Sequence, residues 1–85
     1  MPIIGNYISN VLCENFLDTE TNRVRIRPLP NQGLSTDLKI ECFMKYRNIN
    51  IYPLGTQFIA ENVKVCIKPV GRVYLRAKDQ KLTPI

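Results

Sequence analysis

Arg23-Val24-Arg25-Ile26-Arg27 alternates a guanidinium with a β-branched apolar side chain over five residues. Such alternation suits a β-strand, whose successive side chains point to opposite faces, and does not suit the 3.6-residue period of a helix. It sets three cations on one face and Val24 and Ile26 on the other. Arg72-Val73-Tyr74-Leu75-Arg76-Ala77-Lys78 repeats the arrangement near the C-terminus, with a tyrosine inside the basic row.

The rest of the composition agrees with strands. Hydrophobic residues make up 45% of the 85, drawn mainly from Ile, Val, Leu, Tyr and Phe, while alanine, the best helix former, occurs twice. That content excludes wholesale disorder. The length predicts one domain, residues 1–85, with one modest core that buries somewhat over ~60% of the unfolded surface.

Residues 3–17 read two ways. Tyr7, Ile8, Val11, Leu12 and Phe16 would share one face of a short N-terminal helix. Gly5, Asn6, Asn10 and Asn15 oppose it, being poor helix formers. The polar run Asp18-Thr19-Glu20-Thr21-Asn22 then joins this segment to the Arg23 row, so strand–turn–strand is preferred. Pro28 and Pro30 end the second strand, since proline removes a ladder donor. A third strand is expected over Leu38–Arg47, with Leu38, Ile40, Cys42, Met44 and Tyr46 facing the core. Tyr52-Pro53-Leu54-Gly55 fits a type I turn, and Lys68-Pro69-Val70-Gly71 is a second proline–glycine turn. Between them, Phe58 and Ala60 share one phase while Val63, Val65 and Ile67 hold the other, which predicts a bulge or bend near Glu61-Asn62. Asp79–Ile85 reads as a tail or an edge segment. The sum is an all-β chain, a small five-stranded antiparallel barrel or sandwich of SH3-like or OB-like architecture.

Charge is unevenly distributed within a net +5. Residues 1–22 carry Glu14, Asp18 and Glu20 and no cation, whereas residues 23–78 carry eleven Lys or Arg against three carboxylates. Given the strand phases, the faces opposite the core hold Arg23, Arg25, Arg27, Lys39, Lys45, Arg47, Lys64, Lys68, Arg72, Arg76 and Lys78, with Phe43 and Tyr74 among them. Arginine forks pair with phosphate oxygens and exposed rings give bases a stacking surface. The nucleic-acid-binding candidates are therefore Arg23, Arg25, Arg27, Phe43, Lys45, Arg47, Lys64, Arg72, Tyr74, Arg76 and Lys78, with RNA or DNA as the expected partner. The competing reading is a protein-interaction or structural module, either a homodimer or bound to another protein, in which the basic face serves solubility alone. Ile3, Ile4, Tyr7, Ile8 and the Leu82–Ile85 tail are then the candidate contact.

Catalysis finds little support. The chain has no histidine, no glycine-rich phosphate loop and no CxxC, so no catalytic residues, metal ligands or cofactors are expected. Cys13, Cys42 and Cys66 are an odd set, and reduced thiols in a cytoplasmic protein are the simplest account. Met1–Gly5 lacks the basic and long apolar regions of a signal peptide, and no apolar run approaches the ~20 residues that span a bilayer, so no membrane partner is expected.

Overall fold

A computed structural model describes residues 3–85; Met1 and Pro2, the start of the stretch tested for a signal peptide, lie outside them. The strands are β1 (Tyr7–Asp18), β2 (Arg23–Pro28), β3 (Ile40–Glu41), β4 (Gln57–Ile67), β5 (Val73–Ala77) and β6 (Thr83–Pro84). Residues 7–18 thus form a strand throughout, and the helix alternative for the N-terminal segment does not hold.

The strands form one sheet in the order β2-β1-β4-β5-β3, with β6 on β4. The sheet curls until β2 packs against β3. Lys39, which leads into β3, brings its amine to 5.4 Å from the centre of the Phe16 ring on β1, on the far side of β2. Around the barrel the strands therefore follow β1-β2-β3-β5-β4. The small, mainly antiparallel barrel expected from the sequence is there; the two-residue β3–β5 pair is parallel and the other pairs are antiparallel. Because β3 and β4 are not neighbours, the ring is OB-like and partly open rather than an SH3-like meander.

β1 and β4 are long because each serves two sheet regions. β1 pairs β4 through residues 7–14 and β2 through 13–18. The bend expected near Glu61-Asn62 is there, and β1 shares it. Asn10 adopts a left-handed φ of 55°, and the Asn10–Glu61 pair is missing from the ladder. The register is the same on both sides of the gap, so both strands reverse phase together: Val11 and Ala60 point inward before it, Val63 and Val65 after it. This is a shared bend, not the insertion of an extra residue.

The core gathers Val11, Cys13, Ile26, Ile40, Cys42, Tyr46, Phe58, Ala60, Val63, Val65, Leu75, Ala77 and Leu82. Tyr46, Tyr52 and Phe58 pack with ring centroids 5.1–5.8 Å apart, two of the three contacts edge-on, an arrangement worth ~0.5–1.5 kcal/mol per pair beyond burial. The expected strand over Leu38–Arg47 stops at Glu41. Met44–Arg47 is a 3-10 helix that packs against β2, and Met44 is 76% exposed rather than in the core. The alternation placed Ile40, Cys42 and Tyr46 inside correctly, but the chain must leave β3 here to cross the barrel end before β4.

One buried polar residue holds that crossing. Asn15 is 1% exposed; its Nδ2 donates to the carbonyls of Tyr46 (3.3 Å) and Tyr52 (2.9 Å), and its Oδ1 accepts from the Thr56 amide (3.0 Å). A residue read only as a poor helix former is the clamp on the 46–56 connection. The turn before β4 falls one residue later than expected: the Thr56 amide donates to Pro53, and Gly55 takes φ 87° at the third position, as a type II turn requires. Between β4 and β5, the Gly71 amide donates to Lys68 and Gly71 is left-handed, a three-residue hairpin loop closing with a glycine bulge. The C-terminal segment is an edge strand: β6 pairs Phe58 and Ile59, Leu82 is buried, and Thr83, Pro84 and Ile85 are exposed.

Candidate nucleic-acid interface

The two basic rows lie on different outer surfaces. On the first, β1 lays carboxylates beside the arginines, since the register opposes Glu14 to Arg27, Phe16 to Arg25 and Asp18 to Arg23. Arg27 Nε donates to Glu14 Oε2 at 2.9 Å, and Arg25 Nε lies 3.3 Å from Asp18 Oδ2. The Arg27 guanidinium also covers the Phe16 ring at 4.2 Å. Arg25 and Arg27 are engaged within the fold, and Arg23 alone of the row is exposed.

The second surface is the outer face of β4, β5 and β3, reaching the N-terminal end of β1. The register places Tyr7, Lys64, Arg76 and Glu41 in one row across four strands. The next row along pairs Cys66 with Tyr74. Lys64 Nζ lies 6.0 Å from the Tyr7 ring centre and Lys68 Nζ 5.2 Å from that of Tyr74. Arg76 Nη2 lies 3.4 Å from both the Tyr74 hydroxyl and Glu41 Oε2, and Lys68 Nζ is 3.7 Å from Glu41 Oε1. Arg72 is exposed in the adjoining hairpin turn and Lys78 just beyond β5.

The structure therefore brings together Lys64, Arg72, Tyr74, Arg76 and Lys78 of the candidates and separates them from Arg23, Arg25 and Arg27. Phe43 stands between, exposed beyond the end of β3, its amide donating to the Gln80 carbonyl at 2.9 Å. Lys45 and Arg47 belong to the 3-10 helix on the β2 side, where the Lys45 amine lies 5.2 Å from the ring of Tyr46. Tyr7, 62% exposed, joins the second surface from a segment expected to form a dimer contact. Its signal was the same alternation, hidden by the phase reversal at Asn10.

Electrostatics separates the groups that face water from the inert ones. Burial pushes the Cys13 thiol up to about 12 and the Cys42 thiol up to about 11, so both stay protonated as small core hydrophobes. Partial desolvation raises the Tyr74 phenol, which Arg76 partly offsets, so Tyr74 is neutral at pH 7. Tyr74 and Glu41 in turn favour the charged form of Arg76. Among the described residues no group of three His, Cys, Asp or Glu side chains comes together, and no helix is long and apolar enough to cross a membrane.

No family model matches the chain, and neither a curated protein nor a solved structure matches it.

Proposed function

We propose that the outer face of β4, β5 and β3 binds a nucleic acid without chemical turnover, Lys64, Lys68 and Arg76 meeting phosphates while Tyr74 and Tyr7 offer rings to bases. The observation that carries this reading is the cross-strand row Tyr7–Lys64–Arg76, with Tyr74 set between Lys68 and Arg76. Phosphate contacts position such a ligand and ring contacts add affinity. Glu41 holds Lys68 and Arg76 in place through contacts of 3.4–3.7 Å at half-exposed side chains. Pairs this loose are worth ~0–1 kcal/mol, so a phosphate can displace them.

The test is fluorescence anisotropy of labelled oligonucleotides across a salt series. Micromolar binding that weakens steeply with salt is expected, and Lys64→Ala with Arg76→Ala should flatten the log–log slope by roughly 0.7–0.9 for each phosphate no longer neutralised. No binding at low ionic strength sinks the reading.

A protein contact is the second reading, favoured by one end of the barrel. Ile3, Ile4, Ile67 and Val70 are all exposed there, Val70 by 87%, and the Gly5 amide ties the N-terminal turn to Val65 on β4 at 2.8 Å. Sedimentation velocity that shows a dimer forming with concentration would support it.

A further inference from the structure

We infer that the ligand of the β4–β5–β3 face is an extended single strand whose bases are splayed onto two separate rings, and not a duplex. The inference rests on the nucleic-acid reading above and specifies its substrate.

The spacing of the rings carries it. Tyr7 opposes Lys64 on β4, and Tyr74 opposes Cys66 on the same strand. The two tyrosines are thus two strands apart laterally and two residues apart lengthwise. With ~4.8 Å between strands and ~3.4 Å per residue, their positions are roughly 12 Å apart. Bases in a duplex are stacked ~3.4 Å apart along each strand and show only their edges in the grooves. Two rings rooted about 12 Å apart on a sheet do not match bases stacked ~3.4 Å apart. An unstacked strand can lay one base on each ring, with phosphates over Lys64, which the register sets beside Tyr7, and over Arg76, which lies across from Lys64 and two residues along β5 from Tyr74.

Among the described residues the surface also carries no recognition helix. The longest helix among the described residues is the four-residue 3-10 helix Met44–Arg47, so no helix lies in a major groove. A duplex seated on this face through its phosphates would leave Tyr7, 62% exposed, without a role. The Arg27 guanidinium already stacks on the Phe16 ring at 4.2 Å, whereas the cations over the Tyr7 and Tyr74 rings are lysine amines at 6.0 and 5.2 Å on flexible stems, which can turn towards phosphate, Lys68 by giving up its 3.7 Å contact with Glu41.

The experiment compares three labelled ligands of equal length at one salt concentration: a pyrimidine single strand, a duplex, and a single strand with abasic sites throughout. The single strand should bind at least tenfold more tightly than the other two. Tyr74→Ala and Tyr7→Ala should each weaken single-strand binding roughly five- to a hundredfold and leave duplex and abasic binding unchanged, while Tyr74→Phe retains it. Equal binding of all three ligands overturns the single-strand inference and leaves phosphate binding standing. No binding of any ligand overturns both. The ligand comparison needs only the unaltered chain, so poor folding of a variant does not blunt it.

Discussion

On β2, Arg27 lies 2.9 Å from a carboxylate and stacks on Phe16; on β5, Arg76 lies 3.4 Å from a half-exposed Glu41, beside a tyrosine. As strings the two rows are alike, since each alternates cations with apolar residues. Their neighbours differ. β2 pairs with the acidic half of β1, which brings Glu14, Phe16 and Asp18 to its arginines. β5 pairs with the basic end of β4, which brings Lys64 and Cys66 instead. A basic strand beside an acidic one is consumed in holding the barrel together, whereas β5, beside the basic end of β4, shares the carboxylate of Glu41 on β3 between Arg76 and Lys68 and keeps positive charge facing outward. The comparison teaches that a charged row is read through its partner strand.

The largest expected effect tests how firmly the β1 side is bound into the fold. Asn15→Leu should destabilise the protein by about 3 kcal/mol in urea denaturation, because the Thr56 amide and the Tyr46 and Tyr52 carbonyls lose their buried partner. A change under about 1 kcal/mol would mean that water replaces the clamp and that the β1 side is less tightly tied than the geometry indicates.

Next comes a crossed pair of double variants. Lys64→Ala with Arg76→Ala should lower oligonucleotide affinity at least tenfold and leave the melting temperature nearly unchanged. Arg25→Ala with Arg27→Ala should do the reverse, costing about 1–2 kcal/mol of stability as two ion pairs and the ring contact disappear. If both doubles lower affinity equally, the division between a structural and a binding row is broken.

Alkali probes the core beneath both surfaces. The Cys13 and Cys42 thiols sit at about 12 and about 11 in the folded protein against 9.0 for an ordinary thiol, raised in both by desolvation. A group whose pKa is raised on folding stabilises fully below its unfolded value and loses that contribution as pH rises through the folded one. Thermal stability should therefore hold up to about pH 9 and fall between there and about pH 11–12. Melts by circular dichroism across that range check it, and Cys13→Ala should make the fall shallower.

The smallest effect separates the carboxylates. Glu14→Gln should cost ~0.5–1 kcal/mol of stability, and Glu41→Gln less than ~0.5 kcal/mol, since the latter's contacts are longer and more exposed. Glu41→Gln should instead tighten oligonucleotide binding severalfold by freeing Lys68 and Arg76. A larger loss of stability at Glu41 than at Glu14 would reverse the comparison.

Local alternation made most of the strands legible. Val24 and Ile26 against the arginines, Phe58 and Ala60 against Val63 and Val65, and the bend between them follow from the period-two geometry of a strand and from the need to keep apolar side chains inside. The glycine turns at 55 and 71 were legible to within a residue. Leu38–Arg47 failed because alternation says which face a residue takes and not where a ladder ends. The path from β3 to β4, clamped by Asn15 from 31 to 41 residues away in sequence, ends it at Glu41. The candidate site was half legible for the same reason. Arg72, Tyr74, Arg76, Lys78 and Lys64 share a surface because β4 and β5 form a hairpin, a local contact. Tyr7 and Glu41 join it only through long-range pairing.

Local pattern alone makes this protein a set of strands with cations on their outer faces, because side-chain direction along a strand depends on nearest neighbours alone. Which of those cations are spoken for is settled by the assembled barrel. That depends on the pairing of β1 with β2 and of β3 with β5, and both are set by packing the whole core at once rather than by any segment's own pattern.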